Sequence, residues 1–430
     1  MELATIFLKT KLQKNKMTTN WIRNKHIPLW CILLLTILVF SPTFGNGFQM
    51  GWDDQWMVTN YYTSDGLALE NIFDIFTNTY GGQYAPINQL LYSCIYSCFY
   101  YKPFWYHTIS LVFHLFNVVL VYKIMANLYR WDKFKINEPS RKKVALFCSL
   151  CFAINPLQVE SVAWVSASKV VLFAFFYLAG TLIYIQFIEK GKIRYIITAI
   201  FLFIMCLGCK EHAVSFPAWL IMLHWIHGDF KNKSKSLWGC VPFIIIGVAF
   251  GLFYLLYASC LDGDIKNIVN GYSLFERLNI AGYAISVYVR RWLLPIDLMH
   301  IYQLPNPIPF WFILCPFCFI ILFFTLRKKI NDTILFWLLF YVIHLALVLH
   351  IIPMGRFVIT ADRYMYLPCI SLANLFWLLY TSIMKTKKHI WRIICISSLA
   401  LFWCFISFDR CLDWKNTETI RANNTIFNNF

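Results

Sequence analysis

Long apolar runs recur along almost the whole chain, separated by short polar breaks. That pattern leaves little choice of fold, because each run must cross a bilayer or be buried on every side. We count eleven candidate spans, at 28–45, 104–127, 143–157, 169–188, 195–209, 213–229, 238–259, 309–326, 334–353, 365–384 and 390–407. A span needs about 20 apolar residues, so several are short. Of the 430 residues, 59% are apolar and 14% charged. A soluble domain is about half apolar and a quarter charged. The expected fold class is an all-α polytopic membrane protein of about eleven transmembrane helices. Segment 86–101 is apolar but holds Pro86, Asn88 and Gln89, and 279–296 carries Arg290 and Arg291 in mid-pattern. Both read as helices lying in the interface within long outer loops.

The net charge of +17 invites a nucleic-acid partner, but its distribution argues against one. With the N-terminus inside, the cytoplasmic stretches are 1–27, 128–142, 189–194, 230–237, 327–333 and 385–392. They hold most of the Lys and Arg and few of the acids, as the positive-inside rule requires. The basic surplus then faces anionic membrane lipid. The expected organisation is a basic cytoplasmic N-terminus at 1–27, a transmembrane domain at 28–407 and a short outer tail at 408–430. The outer loops at 46–103 and 260–308 are elaborate and the inner ones plain. A channel or symmetric carrier has no need of that asymmetry, and no two matching halves stand out. The basic N-terminus and first apolar run also look like a signal peptide, but 41–48 offers no small-residue cleavage site. The Cys pairs 148/151, 206/209 and 315/318 fall within apolar runs, where Cys is an ordinary small hydrophobe.

Polar residues gather at the outer ends of the spans. Trp52-Asp53-Asp54 follows the first span at the membrane–water boundary. Ala361-Asp362-Arg363-Tyr364 enters another span, and Lys210-Glu211-His212 caps a third. Glu160 lies in the turn after the third span, and Arg291 on the second interfacial helix. His107, His114 and Asn117 share roughly one face of the second span, where interhelical packing suits the two histidines. Ionisable groups at this depth face a cavity or a partner. Glu160, Glu211 and Asp362 suit either ion bridges between helices or support of a site. Arg363 offers a fork of donors for phosphate oxygens and Lys210 a point charge.

Several of these stretches, in this order, resemble one family. They are Tyr84-Ala-Pro-Ile-Asn-Gln, Tyr106-His107, His114-Leu-Phe-Asn117, the run from Phe152 to Val165, Cys209-Lys-Glu211, Glu276-Arg-Leu-Asn279, Leu294-Pro295 and the run from Ala361 to Pro368. The chain is similar, over roughly residues 28 to 430, to the multispanning C-type glycosyltransferases related to the tetratricopeptide-bearing protein O-mannosyltransferases and their bacterial relatives. The resemblance implies a GT-C-like fold. It implies inverting transfer of a mannose-like hexose from a polyprenyl or dolichyl phosphate to a hydroxyl of a protein or glycan acceptor. The first-loop acid would be the base, hence Asp53 with Asp54 beside it. Donor phosphate would fall to Arg363, Lys210 and Arg291, supported by Glu160, Glu211, Asp362, His107 and Tyr364. No cofactor is required, because the donor is already activated, although the acid pair is also a candidate site for a divalent cation. A bacterial inner membrane is expected, or the endoplasmic reticulum membrane of a eukaryote. Two departures stand out. Family members carry an Asp shortly after the Val-Ala-Trp-Val motif, where this chain has Lys169-Val170-Val171, and they continue into helical repeats beyond the point where this chain stops. A lipid-linked glycan transporter or flippase, or a relative that has lost activity, are the rival readings.

Overall fold

The computed structural model describes residues 27–423, except 135, 233–234, 260–272, 303, 305–311, 313–330, 352–357 and 387. The described residues form helices and turns, with one isolated β-bridge between Tyr80 and Gln83.

Among the described residues five helical stretches are long and apolar enough to cross a membrane. They are Ile27–Gly45, Pro103–Leu128, Val165–Lys190, Ser236–Leu256 and His389–Asp413. Their principal helices are α1 (Ile27–Phe40), α2 (Pro103–Leu128), α4 (Ser168–Lys190), α7 (Val241–Ser259) and α11 (His389–Asp413). Each matches an apolar run of the sequence to within a few residues. α2 begins where Pro103 takes the first helical turn, whose amide has no intrahelical acceptor to lose. α4 stops at Gly191, whose φ of +66° suits a left-handed cap that glycine adopts without strain. Leu252 and Leu256 on α7, and Leu401 and Phe405 on α11, are exposed, as apolar side chains facing lipid must be.

A sixth span is counted only if a bent pair is taken as one. α3 (Glu138–Ile154) ends at Asn155-Pro156, and the following turn and short helix, Pro156–Ala163, leave at 56°. Proline has no amide to continue the ladder and forces the residue before it out of helical geometry, here to ψ 133° at Asn155. The Asn155 side chain takes up the break, accepting from the Leu157 amide at 3.1 Å and donating to the Trp292 carbonyl at 3.0 Å.

The remaining expected spans are shorter. Candidates 195–209 and 334–353 become α5 (Ile193–Leu207) and α9 (Asp332–Leu345). Candidates 213–229 and 365–384 become α6 (Phe216–His227) and α10 (Pro368–Ile383), of 12 and 16 residues. Both lose a turn to a 3₁₀ segment at the polar motif before them, Glu211–Ser215 and Asp362–Met365, and both restart at a proline. Candidate 309–326 lies almost wholly outside the described residues. Among the described residues five or six spans are long enough, and the expected eleven are not confirmed.

The two segments read as interfacial are both helices. α8 (Leu274–Leu293) is amphipathic, with Arg290 exposed and Arg291 buried. The helix Pro86–Phe99 buries Asn88, Tyr92 and Ser93 against its neighbours. The tail is also helical, at Thr417–Asn423, and is tied to the first loop. Gly47 donates to the Lys415 carbonyl at 2.8 Å, Asn46 to Cys411 at 3.0 Å and Gln49 to Trp414 at 2.7 Å. This clasp fixes the loop carrying Asp53 and Asp54 against the end of α11.

Candidate functional site

The two adjacent acids have opposite environments. Asp54 is fully buried. One carboxylate oxygen accepts from the Gln49 amide at 2.7 Å, and the other from the Ser166 amide at 2.8 Å and the Ser166 hydroxyl. Asp54 thus pins the first loop to residue 166, and its oxygens already face donors. Among the described residues no three His, Cys, Asp or Glu side chains converge as cation ligands. Asp53 is half-buried, and no described residue donates a hydrogen bond to its carboxylate.

Burial pushes the Asp54 carboxyl up to about 6, against the pull of the Gln49 and Ser166 donors. A carboxyl whose pKa is higher in the folded state stabilises the fold below its unfolded value and loses that contribution as pH rises through the folded value. Stability linked to Asp54 should therefore fall between about pH 4 and about pH 6, by on the order of 2–3 kcal/mol. Unfolding midpoints of purified wild type and Asp54→Asn across this range test it. The wild type should show the extra slope. Parallel curves would contradict the assignment.

Arg363 is held from the bent corner. The Glu160 carboxylate accepts from the Arg363 amide at 2.7 Å and from its guanidinium. The guanidinium also lies 5.3 Å from the Trp164 ring and 5.2 Å from that of Tyr364. Burial opposes its charge, but Glu160 outweighs that and raises the pKa, with a further contribution from Asp53. Asp53 is thus within electrostatic reach of Arg363. Lys210 is buried, with its ammonium 5.9 Å from the same Tyr364 ring. Arg363, Lys210 and Tyr364 line one cleft with Val170, Phe173 and His212, of about 350 Å³ including the open space at its mouth.

The structure thus brings Arg363, Lys210, Tyr364 and Glu160 together, with Asp53 nearby. It separates others. Glu211 faces His212, at 3.2 Å, and is not part of the cleft lining. Asp362 does not pair with its neighbour Arg363 but accepts from the Tyr302 hydroxyl at 2.7 Å. Burial and the nearby Glu160 raise its pKa. Arg291 lies on the Asp362 side, its guanidinium 3.3 Å from the Tyr302 ring, and does not line the cleft. His107 is buried on the inward face of α2, away from the cleft lining. His114 has a structural arrangement: its ring nitrogens meet the Tyr366 hydroxyl at 2.7 Å and the Ala153 carbonyl at 3.1 Å.

Sequence reasoning missed Ser166, Tyr302 and His300. His300 packs against Trp52, Trp164 and Trp414 at 4.5, 4.9 and 5.0 Å, and burial, then Arg363 and Arg410, lower its pKa to about 3. It also missed Arg410, although an Asp-Arg-x-x-Asp run at the end of an apolar stretch was a visible signal. Val170, standing where the resemblance leads one to expect an acid, lines the cleft itself. Compared with models of known protein families and with curated proteins, the chain matches none.

Proposed function

We propose that the chain is an integral-membrane glycosyltransferase that moves a mannose-like hexose from a polyprenyl or dolichyl phosphate to a hydroxyl of a protein or glycan acceptor, with inversion. The observation that carries this reading is a carboxylate to which no described residue donates, Asp53, in electrostatic reach of Arg363, which shares a cleft with Lys210. A base must be unencumbered to take a proton, and a leaving phosphate needs cations already in place.

The acceptor oxygen attacks the anomeric carbon opposite the phosphate. As that C–O bond forms, the hydroxyl proton passes to Asp53, and the bond to phosphate breaks with its electron pair leaving on the lipid phosphate. Arg363 and Lys210 meet the charge that develops there. Glu160 fixes the guanidinium from one side, and Asp54 has a positioning role, holding the loop on which Asp53 stands. The base and the cations come from distant parts of the chain, so the loop clasp and the bent corner at Pro156 together set the geometry. We place the protein in a bacterial inner membrane, or in the endoplasmic reticulum membrane of a eukaryote.

Arg363→Lys should lower kcat/KM for the donor by about tenfold or more, because a point charge replaces a planar fork. Arg363→Ala should lower it further. Initial rates over a series of lipid phosphate sugar concentrations, in membranes holding equal amounts of each variant, read the effect. Unchanged kcat/KM in Arg363→Lys would remove the phosphate role.

A further inference from the structure

Two further buried cations lie within electrostatic range of Asp362, and neither has its donors fully met among the described residues. Arg410, near the end of α11, is 7% exposed, and Arg291, near the end of α8, is 4% exposed. Arg410 uses one terminal nitrogen, donating to Asp413 at 2.8 Å. Its Nε and its second terminal nitrogen meet no acceptor among the described residues. Among the described residues Arg291 makes one long hydrogen bond, 3.4 Å to the Thr360 hydroxyl, and its Nε meets no acceptor. The indole N–H of Trp414, whose ring lies 5.9 Å from the Arg410 guanidinium, is fully buried and likewise unmet.

All four unmet groups are donors. Buried donors without acceptors are rare and costly, and charged ones more so. The charge count points the same way. Asp362 lies within electrostatic range of both arginines, but Tyr302 already donates to it, and the nearby Glu160 weakens its hold on a negative charge. Asp413 meets only one terminal nitrogen of Arg410. The open edge of Arg410, Nε with a terminal nitrogen, is one of the parallel forks with which a guanidinium takes two oxygens of one oxyanion. The clasp between residues 46–51 and 411–417 puts this cluster at the end of the bundle that carries Asp53.

We infer that Arg410 and Arg291 form a second oxyanion site, which takes a phosphate group on the open edge of Arg410 and is distinct from the Lys210–Arg363 cleft. The ligand is a phosphate monoester headgroup or free phosphate. The inference does not rest on glycosyl transfer, since phosphate would bind here in a protein with no transferase activity.

The test is phosphate binding to the full chain in lipid nanodiscs, free of other phosphate. Inorganic phosphate is titrated calorimetrically at constant ionic strength, and a polyprenyl monophosphate is followed by native mass spectrometry. Both are repeated with Arg410→Gln, Arg410→Lys and Lys210→Gln. Arg410→Lys keeps the charge that Asp413 needs, so it guards against a folding defect in Arg410→Gln. The wild type should bind at least one of the two probes, and Arg410→Lys should weaken that binding about tenfold or more. Lys210→Gln should leave an Arg410-dependent component intact. Saturation by inorganic phosphate identifies the ligand as the free ion, and binding of the polyprenyl phosphate alone identifies it as the lipid headgroup. The proposal is overturned if the wild type binds neither, if Arg410→Lys binds as tightly as the wild type, or if all binding disappears in Lys210→Gln.

Discussion

Asp53→Asn should lose transfer by roughly 10²–10⁴-fold while still binding donor. The carboxamide keeps the shape and the half-buried position but has no basic oxygen for the acceptor proton. The loop should hold its place, because Asp54, not Asp53, accepts from Gln49 and Ser166. The two acids thus separate experimentally. Asp53→Asn should melt with the wild type and be inactive, whereas Asp54→Asn should melt earlier, since an amide nitrogen would face one of the donors that the carboxylate now accepts from. Rates and melting curves on the same preparations distinguish them. Full activity in Asp53→Asn would end the assignment of the base.

Glu160→Gln should be the most destabilising single change at the site, by roughly 3–5 kcal/mol. The Glu160 side chain is 1% exposed and serves both the amide and the guanidinium of Arg363. Removing its charge leaves a mostly buried cation, and the new amide group puts a donor against a donor. Replacing both partners, Glu160→Gln with Arg363→Gln, removes the stranded charge, so the double variant should lose less than the sum of the singles. Thermal unfolding of the three variants measures the coupling. Additive losses would mean that the pair contributes no mutual stabilisation.

Much of the helical framework was readable because apolar runs and prolines are local signals. The run at 104–127 became Pro103–Leu128, and that at 390–407 became most of His389–Asp413. The span count was less readable because the polar motifs at Lys210 and Asp362 convert helix ends into 3₁₀ turns, which hydropathy alone does not register. The bend at Pro156 was visible as a proline, but its consequence was not. It carries Glu160 to a residue 203 positions away in the chain. Adjacency suggested that Asp362 would neutralise Arg363, but pairing in the folded chain is set by which helix ends meet. The partners of Asp54 and the open edge of Arg410 depend on the same long-range packing, so neither had a local pattern to betray it.

The transfer reaction itself gives the most direct test. Membranes containing the wild type, or Asp53→Asn at the same level, are incubated with polyprenyl and dolichyl phosphate hexoses labelled in the sugar. Label leaving the donor lipid, and the anomeric configuration of the product, are followed over time. We expect the wild type to consume at least one of these donors and to invert the anomeric centre, with Asp53→Asn consuming little or none. Consumption equal in both membranes, product with retained configuration, or a wild type that consumes none of the donors would contradict a lipid-phosphate glycosyltransferase with Asp53 as its base.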